Sequence, residues 1–129
     1  VLGTVASRAA PPSGPDFRTA IAFYPGCRAP AGSKTWTPRL PLAILMGDAD
    51  DWTPPEGCRD LVARHSGIRL VEYPGAAHGF DAPNTPKQVL EGIGITPKGD
   101  GRVHVGTDPV ARAAAIAEVD RILAAAFAQ

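Results

Sequence analysis

Leu42-Ala43-Ile44-Leu45-Met46 forms an unbroken apolar run between Pro41 and Gly47. An amphipathic helix, or a strand with one wet face, would interrupt such a run with polar residues. A short continuous stretch closed by glycine therefore predicts a strand covered on both faces, the kind found inside parallel sheets. Parallel neighbours are joined only by long crossovers, so this one segment already calls for helices packed around it.

The flanking sequence supplies the remaining elements. Phe17–Tyr24 (FRTAIAFY), closed by Pro25-Gly26, reads as a preceding strand, and Ile68–Tyr73, stopped by Pro74-Gly75, as a following one. Residues 28–40 read as an irregular excursion. Thr53-Pro54-Pro55-Glu56 resembles a helix start, with Thr53 as the cap and Glu56 at the capping-box position. Cys58, Leu61, Val62 and His65 then share one face, and Gly67 ends the helix. Residues 79–107 hold many glycines and prolines and read as a long loop, relieved by a short helical turn near Lys87–Glu91. Asp108 caps a final helix with Pro109 at its first position, and Ile116, Val119, Leu123 and Phe127 make the stripe expected to be buried. Residues 1–10 have the composition of a helix tail, broken by PPSGP at 11–15.

Strands alternating with helices imply an α/β fold, here about three parallel strands with flanking helices. Three strands leave one edge bare beside the first, where a pairing partner is expected. The pattern is that of half a sheet. The only methionine is Met46 and the first residue is Val1, so upstream residues are expected to exist and to carry part of the function.

Composition narrows the class of partner. The 13 basic and 13 acidic residues cancel, leaving no excess of positive charge for nucleic acid or an anionic membrane. No apolar stretch approaches the ~20 residues needed to span a bilayer. Gly and Pro each occur 14 times, but 44% hydrophobic content argues for a folded chain.

In open α/β sheets the site lies beyond the carboxyl ends of the strands. Three segments arrive there: Tyr24-Pro25-Gly26-Cys27, the loop Gly47 to Pro54, and Pro74 to Phe80. The second brings an acid and the third a histidine, in the order used by α/β-hydrolases, where the acid orients a general base. Gly47-x-x-Asp50-x-x-x-Pro54 resembles the acid loop of that superfamily. Tyr73-Pro74-Gly75-x-x-His78-Gly79-Phe80-Asp81 is similar to the histidine loop of the dienelactone hydrolase family. Phe23-Tyr24-Pro25-Gly26-Cys27, Asp50-Asp51-Trp52-Thr53-Pro54 and His104-Val105-Gly106-x-Asp108-Pro109 carry the same likeness. The resemblance covers nearly the whole chain.

It implies a partial α/β-hydrolase fold in which residues 1–129 form the C-terminal part of one domain. It implies hydrolysis of carboxylic ester or lactone bonds by a Ser/Cys-His-Asp triad, with Asp50 as the acid and His78 as the base. The family's nucleophile elbow, Gly-x-[Ser/Cys]-x-Gly, has no match, since Ser7, Ser13, Ser33 and Ser66 all lack the flanking glycines. The nucleophile and the oxyanion donors are therefore expected upstream of Val1, and the chain alone is expected to be inactive. No cofactor is implied.

Other assignments compete with these. Asp48 and Asp51 lie on the same loop as Asp50, with Asp51 the nearer rival. His65 reads as a partly exposed helix position and His104 as a loop residue. Asp48, Asp50, Asp51 and His78 lack the convergent spacing of a metal site, so none is expected. Cys27 and Cys58 are compatible with a disulfide and equally with two buried thiols. Free thiols would suit a cytoplasmic protein, a disulfide a periplasmic or exported one. Cys27 as a nucleophile lacks the strand–elbow–helix context. Tyr24, Trp36, Trp52 and Phe80 could line a substrate pocket or simply pack. The expected partners are a small ester or lactone and, at the sheet edge, the missing N-terminal half or another chain. A non-catalytic module that pairs through that edge is the alternative function.

Overall fold

The strand expected from the apolar run is β2, Leu42–Gly47, and each of its six residues is buried. It is central in a parallel sheet of order β1-β2-β3, between β1 (Ala20–Phe23) and β3 (Ile68–Tyr73). The registers are parallel, with Ala22 beside Ile44 and Leu45 beside Val71. The computed structural model describes residues 14–128. The helix tail expected at 1–10, together with Ser7 and Ser13, lies outside the described residues. Among those described, β1 pairs with β2 alone.

Alternation along β2 splits the core into two layers. Leu42, Ile44 and Met46 face one side, where they meet Ala22, Cys58, Leu61 and Ile68. That layer is roofed by α2 (Glu56–Arg64), whose buried residues are Cys58 and Leu61. Leu45 faces the other side with Tyr73, Ala76 and Phe80, covered by α3 (Pro109–Phe127). A sheet with helices on both faces follows directly from a strand with no polar side.

Several boundaries and burial patterns differ from expectation. β1 begins at Ala20, three residues later than expected, and Phe17 is 71% exposed outside it. The excursion at 28–40 contains a short helix, α1 (Arg28–Gly32). Thr53 is not the cap of α2; that position belongs to Pro55, with no side-chain cap bond. The Thr53 hydroxyl is committed elsewhere, to the Tyr24 carbonyl and to Asp50. The turn near Lys87–Glu91 is a strand, β4 (Gln88–Leu90), paired antiparallel with β5 (Val103–Val105). Each strand has three residues, too few to show a period in sequence.

The buried stripe of α3 is also different. Ala111 and Ala115 form it, while Ile116, Leu123 and Phe127 are exposed at 46%, 39% and 67%. One turn apart, the two alanines let the helix backbone approach the Phe80 layer closely. Val119 packs at the margin of that layer. The start of the helix is as expected: Asp108 accepts from the amides of Val110 and Ala111, with Pro109 in the first turn. Those amide bonds, led by Ala111 and helped by Lys87, hold the Asp108 carboxyl below its usual range.

Cys27 and Cys58 form a disulfide that ties the start of α1 to α2. The bond encloses 31 residues of sequence separation, and closing a loop of that size restricts the unfolded chain by about 3–4 kcal/mol. Cys58→Ser is accordingly expected to lower stability by about 2–4 kcal/mol in a denaturant titration. An unchanged midpoint would show that the link adds nothing to the packing around it.

Candidate functional site

The acid loop and the histidine loop leave adjacent strands, β2 and β3, at their carboxyl ends. Gly47 makes their closeness feasible, because a Cβ there would lie 2.1 Å from the Ala76 carbonyl oxygen. The loops are then laced together. The Ala49 amide donates to the Ala76 carbonyl, the Asp48 amide to the Tyr73 carbonyl, and the Gly75 amide to Asp48 Oδ1 at 2.6 Å.

Within this frame Asp50 folds over its own loop. Its Oδ1 accepts from the amides of Trp52 at 2.9 Å and Thr53 at 2.8 Å, a local turn that aspartate forms readily. Its Oδ2 lies 2.8 Å from His78 Nδ1, and the Asp50 side chain is wholly buried. A carboxylate oxygen can only accept in this contact, which assigns the ring proton to Nδ1 and leaves the lone pair on Nε2. Among the described residues Nε2 has no hydrogen-bond partner. The arrangement is an imidazole with an open Nε2 and a buried carboxylate locked behind its Nδ1.

Aromatic rings hold the imidazole. The Tyr24 ring centroid is 4.3 Å from that of His78, and the Trp52 centroid 4.7 Å. Tyr24 is one of two described non-glycine residues with positive φ, at 36°, a conformation that costs a side-chain-bearing residue energy and clusters at functional sites. Burial, with the Asp81 carboxylate beside it, pushes the Tyr24 phenol up to about 12, so it remains a neutral donor. The backbone of His78 is fixed as well, bridging Val105 and accepting from the Gly106 amide. The β4–β5 hairpin therefore buttresses His78.

The competing acids are occupied elsewhere. Asp51 Oδ2 lies 2.7 Å from His104 Nδ1 and Oδ1 accepts from the His104 amide at 2.8 Å, pinning β5 to the acid loop. Burial raises the Asp51 carboxyl, but the His104 bonds and the Lys98 charge outweigh it and leave it below its usual range. His65 packs edge-on to Trp36 at 5.5 Å, in the other core layer. Trp36 and the fully buried Phe80 are thus packing residues. Cys27, in its disulfide, carries no thiol to act as a nucleophile. Among the described residues no group of three His, Cys, Asp or Glu side chains is placed to hold a metal, and no helix is long and apolar enough to cross a membrane.

The match to known sequences decides the family. The dienelactone hydrolase family model aligns with residues 3–124. The chain belongs to the dienelactone hydrolase family. It is a hydrolase-family member in which a partial α/β fold brings together the two residues that its motifs single out. Neither curated proteins nor solved structures gave a match. This dienelactone hydrolase family member has a cavity of about 170 Å³ lined by Trp52, Thr53, Cys27 and Ile95, reached by neither Asp50 nor His78. The contacts of Thr53 with Asp50 and His78 were not foreseen, because Thr-x-x-Glu is also a capping signal.

Proposed function

We propose that the chain carries the acid and general base of an ester- or lactone-hydrolysing triad. Its Ser or Cys nucleophile and the oxyanion donors come from residues preceding Val1, in the same domain. The observation that carries this reading is the 2.8 Å contact between the buried Asp50 carboxylate and His78 Nδ1, with Nε2 left unpartnered among the described residues. A nucleophile placed at Nε2 would lose its proton to it while attacking the carbonyl carbon. The same nitrogen would return that proton to the leaving alkoxide, and then take one from the water that releases the acyl group. Asp50 fixes the tautomer and stabilises the imidazolium formed at each step.

The unpaired side of β1 supports the placement of the missing part. Among the described residues, the Ala20–Phe23 backbone has a partner on one flank only. The reading frame upstream of Val1 is expected to encode Gly-x-[Ser/Cys]-x-Gly. Protein that includes it should hydrolyse nitrophenyl esters, and residues 1–129 alone should not exceed the buffer rate. A reading frame without that elbow overturns the reading. So does equal hydrolysis by the short chain.

A further inference from the structure

Among the described residues, the Thr53 hydroxyl is the side-chain group within hydrogen-bond distance of both Asp50 and His78. Its Oγ1 lies 2.9 Å from the Tyr24 carbonyl oxygen, 3.0 Å from Asp50 Oδ2 and 3.2 Å from His78 Nδ1. Its own amide donates to Asp50 Oδ1 at 2.8 Å. A hydroxyl has a single proton to donate, and here two acceptors compete for it. One is the carboxylate oxygen that already holds the histidine, the other a carbonyl on a different strand end.

The carbonyl is not there by default. It belongs to Tyr24, whose φ of 36° turns the backbone just past the end of β1. The Tyr24 amide meanwhile stays anchored to the Leu45 carbonyl at 2.8 Å. A strained residue thus presents its ring to His78 and its oxygen to Thr53.

We propose, building on the triad reading above, that Thr53 is a positioning residue whose hydroxyl pins Asp50 Oδ2 in line with His78 Nδ1. Its proton exchanges between Asp50 Oδ2 and the Tyr24 carbonyl. Donated to Asp50, it shares the carboxylate's charge while the imidazole is neutral. Donated to Tyr24, it frees a lone pair toward Nδ1–H as the imidazolium forms. No bond to substrate is involved, and Thr53 acts through the other two residues.

The test is long-range proton–nitrogen spectroscopy of the histidine rings in the 129-residue chain, comparing wild type with Thr53→Val, Thr53→Ser and Asp50→Asn. The wild type should show a protonated Nδ1 with slow solvent exchange. Thr53→Val, close in shape but without the hydroxyl, is expected to speed that exchange about 5- to 10-fold, the loss of one ordinary hydrogen bond. Thr53→Ser should restore it, and Thr53→Ala is read in the same way where valine disturbs the fold. Asp50→Asn should abolish the protonated Nδ1 form. If Asp50→Asn acts while Thr53→Val leaves the exchange unchanged, the Thr53 proposal falls and the acid–base pair stands. If Thr53→Ser behaves like valine, the methyl packing matters rather than the hydroxyl, and the proposal also falls. If neither Asp50→Asn nor Thr53→Val has an effect, the triad reading falls with it.

Discussion

In the nucleophile-bearing protein, His78→Ala is expected to lower ester turnover by about 10⁴-fold or more, with KM little changed. The base acts in the transition state, where the nucleophile's proton is in flight, so its loss falls on kcat. Asp50→Asn should cost about 10⁴-fold as well, for a different reason. An amide in that place can satisfy the ring while favouring the wrong tautomer, so Nε2 no longer offers a lone pair. The two losses should not multiply in the double variant, because either one disables the same proton relay. His104→Ala is the control. His104 pairs with Asp51 rather than Asp50, its side chain is 63% exposed, and in the variant its backbone amide still donates to Asp51 Oδ1 and keeps β5 on the acid loop, so turnover should stay within about twofold. Wild-type turnover in His78→Ala, or a His104→Ala loss as large, would move the base elsewhere.

Gly47→Ala is the substitution expected to damage the fold most for its size. The new methyl would lie 2.1 Å from the Ala76 carbonyl oxygen, 2.7 Å from its carbon and 3.2 Å from its Cβ. Two of those atoms are backbone and cannot rotate away. Relief requires β2 and the histidine loop to part, at a cost of about 3 kcal/mol or more and a fall in Tm on the order of 10 °C. The amide bond from Ala49 to the Ala76 carbonyl would weaken with it, so the distance between Asp50 and His78 should grow. Calorimetry checks the first effect and the Nδ1 proton signal of His78 the second. A Tm within about 3 °C of wild type would mean that the loops can give way.

The parts of this molecule that were legible in sequence are those where a physical requirement leaves one residue pattern. A strand buried on both faces must be apolar throughout, so β2 announced itself. Loops that follow such strands leave the sheet at its carboxyl edge, so position as well as likeness pointed to Asp50 and His78, whose side chains meet at 2.8 Å. The α3 stripe was misread because hydrophobic periodicity weighs Ile116, Leu123 and Phe127 above Ala111 and Ala115. Close helix-to-sheet approach selects the smaller methyl groups. β4 and β5 were invisible because three residues cannot establish an alternation. Thr53 shows a further kind of ambiguity: a hydroxyl before a helix has the same spelling whether it serves the amides or a neighbouring carboxylate. Only the position of Tyr24, brought from 29 residues away, decides between them.

The link between Cys27 and Cys58 has a consequence for how the chain withstands cutting. Asp50, Trp52 and Thr53 all lie within the covalent ring that it closes, and so does the exposed Lys34. A tryptic cut after Lys34 opens that ring without releasing a piece. The fragment bearing β1 and the fragment bearing the acid and the histidine remain a single covalent body until the sulfurs are reduced.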